Sequence, residues 1–153
     1  MKNLKTLGIA FVAVAAFGIP VLAQDAADRA ITARQSQMQL YAFNLGQLGA
    51  MAKGTVDYDA DAATAAAGNL VKLTSLAAGP MWVPGSDNGA KKDTRALPAI
   101  WQNFPDVGAK AKAASDAAVA LEMAAGTSLE ALQGAMGAMG GACAACHKAY
   151  RAP

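Results

Sequence analysis

Histidine and cysteine are scarce in this chain of 153 residues, which holds one His and two Cys. Three such side chains offer no recognised zinc set, because a structural zinc site closes with four ligands. Charge of either sign is also in short supply. There are 13 basic and 11 acidic residues, and losing Lys2 and Lys5 with a cleaved leader would leave the two signs equal. A neutral mature chain gives no case for nucleic acid. No stretch alternates apolar and polar residues as a half-buried strand does, which points to an all-α chain. No acid–base or nucleophile constellation stands out, so an enzyme is not expected. No apolar run is long enough to span a bilayer, and no repeat or low-complexity linker divides the chain.

The scarce residues fall together. Cys143-Ala144-Ala145-Cys146-His147 contains both cysteines and the single histidine. C-x-x-C-H is the attachment pattern of a c-type haem, in which two thiols add to the porphyrin vinyl groups and the adjoining imidazole takes an axial position on iron. On a helix, positions i, i+3 and i+4 share a face, so Cys143, Cys146 and His147 converge on one haem edge. A redox dithiol in a haem-free helical adaptor is the competing reading. It lacks a βαβ setting and leaves His147 without a role. A disulfide across two intervening residues would close too small a loop to stabilise much.

Residues 1–23 read as a secretory leader, with Lys2 and Lys5 as its basic start, Leu7 to Ile19 as its apolar part and Val21-Leu22-Ala23 as its cleavage site. Residues 24–153 then form a single exported domain without a membrane anchor, delivered to the periplasm. Four helical segments are expected in it. The first runs from Asp25 to Lys53, carries Ile31, Met38, Leu45 and Leu48, and stops at Gly54. The second starts after Asp57 as N-cap and reaches Ala78 through Leu70, Leu73 and Leu76. A connection rich in Pro and Gly covers residues 79–96, with Trp82 read as core packing. The third segment, Leu97 to Gly126, is reset near its start by Pro105, and Val119 and Leu121 are among its apolar residues. The fourth opens on a Thr127-to-Glu130 capping box and carries a stripe of Leu129, Leu132, Met136, Met139, Cys143, Cys146 and Tyr150. Four such segments fit an antiparallel up-down four-helix bundle enclosing a covalent haem c near one end.

An exported helical chain with Cys143-x-x-Cys146-His147-x-x-Tyr150-Arg151 at its C-terminus resembles the class II cytochromes c, the cytochrome c′ family. Arg34 with Met38, Ala52-Lys53-Gly54 before Tyr58-Asp59, and Ile100-Trp101 agree with that resemblance. It implies one haem c per chain, thioether bonds at Cys143 and Cys146, and His147 as proximal ligand. It also implies Arg34 near the propionates and Arg151 beside the proximal imidazole.

The sixth iron position separates two functions. Met136 and Met139 share a helix with His147, and Met51 lies about 20 Å beyond Met38 along its own helix. Met38, one turn past Arg34, is left as the distal candidate. Within the resemblance, a methionine there marks the low-spin branch with His/Met ligation. The sequence therefore reads first as a periplasmic one-electron carrier serving a redox partner protein of unknown identity, monomeric or homodimeric. The alternative is a five-coordinate, high-spin cytochrome c′ that binds nitric oxide or carbon monoxide.

Overall fold

A computed structural model describes residues 19–153, with side chains from residue 26 onward. Residues 1–18, most of the expected leader, lie outside the described range. Five α-helices follow one another: α1 (Ile19–Ala52), α2 (Ala60–Thr74), α3 (Ala99–Gln102), α4 (Phe104–Ala125) and α5 (Leu129–Tyr150). The four long ones form the expected bundle. Around it, α1 packs on α2 and α5, while α4 packs on α2 and α5. The short α3 precedes α4 and is separated from it at Asn103, with Pro105 in the first turn of α4 as the sequence leads one to expect. Among the described residues no helix is long and apolar enough to cross a membrane.

The helix ends have identifiable chemical causes. At the end of α1, Gly54 takes φ 69°. Its N–H bonds Met51 O, and Thr55 N–H bonds Ala50 O, both at 3.0 Å. This is the paired closure that glycine permits, so Gly54 ends the helix as the sequence indicates. The caps of α2 and α5 differ from expectation. Asp59, not Asp57, accepts from Ala62 N–H at 2.9 Å. Ser128, not Thr127, accepts from Ala131 N–H at 3.1 Å. Glu130 is then one residue too near to complete a capping box. Thr127 instead donates to Met123 O and finishes α4. The second helix also stops at Thr74, four residues short of Ala78, and Leu76 beyond it is exposed.

The body of the core is built from small residues and a few leucines. Ala63, Ala66, Ala67 and Leu70 of α2 meet Ala118, Leu121 and Ala125 of α4, with Leu48 and Met51 from α1 and Leu132 and Met139 from α5. Val119 points outward, because Ala118 and Leu121 occupy the inner face of α4. A second, smaller cluster sits at the other end, where Ala96, Ile100 and Tyr150 are buried against Trp82, Trp101, Val107 and Cys146. Leu121, fully buried, is expected to cost about 3 kcal/mol when replaced by alanine. Met123→Ala, on the same helix but exposed, should stay within about 0.5 kcal/mol of wild type in the same chemical denaturation experiment.

Candidate haem site

The second cluster floors a cavity of about 750 Å³ at the end of the bundle where α5 finishes. Its volume is in the range of pockets that hold a cofactor. Three elements wall it. Arg34, Gln35, Met38 and Gln39 come from α1, Cys146, His147, Tyr150 and Arg151 from the end of α5, and Trp82 with residues 92–96 from the connection before α3. The antiparallel course of α1 and α5 thus brings Met38 and His147 to one cavity. Met51 is in the core and borders a separate hollow with Val56 and Asp57. Met139 is fully buried in the core, and Met136 lies against Gly49.

The motif continues the packed stripe of α5. Leu132, Met139 and Tyr150 are buried, and Met136, Cys143 and Cys146 are half-buried along the same face. Cys143 packs on the main core and Cys146 on the second cluster. Both are free thiols, and burial raises the pKa of each. Burial lowers the pKa of His147, and the charges of Arg151 and Arg95 lower it further. A neutral imidazole is the form that binds a metal.

The closing tail and the connection are tied together. Ala96 and Arg151 form an isolated antiparallel bridge. Leu97 N–H donates to Tyr150 O at 3.0 Å and Ala152 N–H to Arg95 O at 2.8 Å. Tyr150 donates its hydroxyl proton to Asp106 Oδ2 of α4 at 2.5 Å.

Arg34, only 4 % exposed, is part of the cavity wall, with its guanidinium turned to the connection. Its guanidinium donates to Met81 O, Ser86 Oγ, Ser86 O and Thr94 Oγ1, all in the connection. It also stands 4.9 Å from the ring centre of Trp82 and 6.0 Å from that of Trp101. Trp82 packs on the second cluster, as its reading as core leads one to expect, and also lines the cavity. Arg151 lines the cavity beside His147, with its backbone N–H on His147 O.

The donor set suits a porphyrin. Arg34, Lys92, Arg95 and Arg151 line the cavity against one carboxylate, Asp93, which matches a ligand bearing two carboxylates. Among the described residues no group of three or more His, Cys, Asp or Glu side chains could hold a bare metal ion. Two thiols and an imidazole on one helical face are what a tethered haem requires. Of the wall residues, Gln35, Gln39, Thr94 and Tyr150 went unread as site residues. A signal for the first two exists: from Gln35 to Phe43 no residue of α1 is buried, and the stretch interrupts the apolar spacing with three glutamines.

A four-helix bundle whose last helix ends in a haem-attachment face defines a c-type cytochrome of the bundle class. A family model described as Cytochrome C′ matches residues 29–151. Cytochrome c-554 of Cereibacter sphaeroides is 42 % identical over 153 residues, spanning 99 % of this chain and 98 % of that one. The solved cytochrome c′ from Rhodobacter Spheriodes superposes with TM-score 0.80 at 40 % identity, covering 82 % of this chain and 97 % of its own. Cytochrome c′ from Alcaligenes xylosoxidans, solved as variants with carbon monoxide and with nitric oxide bound, gives TM-score 0.72 at 33 % identity, covering 83 % and 97 %. The chain belongs to the cytochrome c′ family, and its cofactor is covalently bound haem c, one per chain.

The Tyr150–Asp106 contact makes the site's stability depend on pH. The Tyr150 hydroxyl, and behind it Lys110, holds the Asp106 pKa below the ordinary carboxylate range, against a smaller opposing effect of burial. A depressed carboxylate stabilises the fold above its unfolded pKa, and that contribution is lost as pH falls through the folded value. The bond to Asp106 also raises the Tyr150 pKa, as does burial, against a smaller opposing bond to Asn103. The tyrosine contribution is therefore lost at alkaline pH. Tyr150→Phe should flatten both limbs of a plot of melting temperature against pH. Limbs as steep as those of wild type would show that the contact carries no linkage.

Proposed function

We propose that this chain binds a small diatomic gas, nitric oxide or carbon monoxide, at a haem c held by Cys143, Cys146 and His147, with Met38 beside the open distal face. The sequence alone ranks the His/Met electron carrier first. Kinship with cytochromes c′, including one solved with carbon monoxide and with nitric oxide bound, supports the gas-binding reading better. That kinship is the observation that carries the proposal. Bound haem c supplies an iron with two axial positions and two oxidation states. His147, whose pKa is lowered by burial and by the charges of Arg151 and Arg95, takes the proximal position. Cys143 and Cys146 supply the thioether bonds. Met38 is 41 % exposed on the opposite helix, so its flexible thioether side chain has room to swing away from an incoming gas. The protein acts as a binder in the periplasm, delivered there by the leader of residues 1–23.

One observation favours the carrier reading. Met38 is the methionine on the cavity wall, and thioether ligation there would keep the iron six-coordinate in both oxidation states. Absorption spectra separate the two functions. Under the gas-binding reading the wild-type protein is high-spin in both states, and Met38→Ala changes the rate of carbon monoxide binding but not the spin state. A low-spin wild type with a sulfur-to-iron charge-transfer band, converted to high-spin by Met38→Ala, would overturn it. Met51→Ala, far from the cavity, should leave the spectrum unchanged under either reading.

A further inference from the structure

Arg34 does something other than meet the haem carboxylates. The segment from Gly79 to Ala96 contains one short 3-10 turn, Gly79–Met81, and no strand pairing beyond the Ala96 bridge. Some of its oxygens are met within the segment, as Asp87 O is by the N–H groups of Ala90 and Lys91, and others need donors from elsewhere. Arg34 supplies them. Nη1 donates to Met81 O at 3.2 Å and Ser86 Oγ at 2.7 Å, and Nη2 to Ser86 O and to Thr94 Oγ1 at 2.8 Å. A guanidinium has five N–H donors, four of them on its terminal nitrogens. All four terminal donors are thus committed to one loop, and only Nε–H is left for any other acceptor.

The receiving groups are as enclosed as the donor. Ser86 is fully buried and Thr94 is 7 % exposed. Trp82 and Trp101 pack at 6.1 Å between ring centres beside the same cation, and Trp101 Nε1–H donates to Trp82 O at 3.0 Å. Two further ties from α1 follow the same path: Gln35 donates to Asp93 O at 2.6 Å, and Asp28 pairs with Lys91 at 2.6 Å. The loop is wrapped around a side chain of α1, and it carries Trp82 and residues 92–96 into the cavity wall. Met38 stands one helical turn further along α1, on the same wall.

We infer that Arg34 is a positioning residue that acts on the haem through this loop, fixing how far Trp82 and residues 92–96 stand from the Met38 side of the cavity. The haem carboxylates are left to the exposed Lys92 and Arg95 on the cavity rim. The inference rests on membership in the haem family and holds for either axial arrangement.

The test compares Arg34→Met with Ser86→Ala/Thr94→Val and with the triple variant, all as haem-loaded protein. Two quantities are read: amide hydrogen exchange at Asn88, Lys91 and Leu97, and the association rate of carbon monoxide with the reduced protein. Removing the two hydroxyls should speed exchange at these amides about thirtyfold, since each lost buried hydrogen bond costs on the order of 1 kcal/mol. It should move the carbon monoxide rate in the same direction as Arg34→Met. The triple variant should then exceed Arg34→Met only by the loss of the Ser86–Val83 and Ala96–Thr94 bonds, which do not involve Arg34, because the rest of the change cuts the same link. The inference is overturned if the hydroxyl variant matches wild type while Arg34→Met does not, or if the two effects add in full. Should Arg34→Met fail to accumulate, wild-type behaviour of Ser86→Ala/Thr94→Val is enough to overturn it. Failure of the gas-binding reading would instead show in the wild-type spectrum.

Discussion

The packing register of α5 is the constraint on which the site depends. Leu132, Met136, Met139, Cys143, Cys146 and Tyr150 recur every three or four residues, so one stripe serves both bundle packing and haem attachment. Leu132 and Met139 are fully buried, which fixes the rotation of the helix about its axis. With that rotation set, Cys143 must face the main core and Cys146 the second cluster. His147, one residue on, is carried to the cavity edge. A register shift that exposed Met139 would turn Cys146 away from the cavity as well. Packing and cofactor geometry are thus a single condition on this helix.

The same economy is absent from α1, which changes task along its length. Ala27, Ala30, Ile31 and Arg34 are buried near its start, and Asn44, Leu48 and Met51 near its end. Between them the helix faces the cavity or solvent, apart from Tyr41, which packs on the main core, and Gln37, which donates to Leu73 O of α2. Even Asn44 is satisfied locally, donating to Leu40 O and accepting from Asn69. A helix can bridge such an interval because its backbone bonds are internal, whereas the connection before α3 cannot. The loop takes its order from α1 and from the tail after α5. The wall of the site is therefore only as well placed as those ties.

This difference decides what could be read in the sequence. The stripe of α5 that carries Cys143, Cys146 and Tyr150, the stop at Gly54, the break near Pro105 and the four-helix count all rest on local rules, and they stand in the structure. Met38 could be located because helical rise and antiparallel packing fix its level. The caps at Asp59 and Ser128 were missed by one or two residues. In each case two adjacent or near-adjacent polar residues compete for one cap, and tertiary packing chooses between them. The arrangement of Ser86 and Thr94 around Arg34 was beyond reach, since the contacts join positions about fifty residues apart and follow no local period. The place of Trp82 in the cavity wall, beside its packing on the second cluster, was beyond reach for the same reason.

Why the cavity lies between α1 and α5 follows from side-chain size on the opposite side of the bundle. Helix separation is set by the residues at the contact. Between α2 and α4 those residues are chiefly alanine, with Gly68 so close to α4 that an added Cβ would stand 2.9 Å from Glu122 Oε1. Gly126 is tighter still, where a Cβ would meet Thr64 Oγ1 at 2.2 Å. The α2–α4 side is therefore drawn in, and α1 meets α5 least of the four neighbouring pairs. A bundle with one narrow side and one wide side has a place for a flat cofactor. The alanine and glycine content then has a positive use, because small residues on one side hold open the space that Met38 and His147 face on the other.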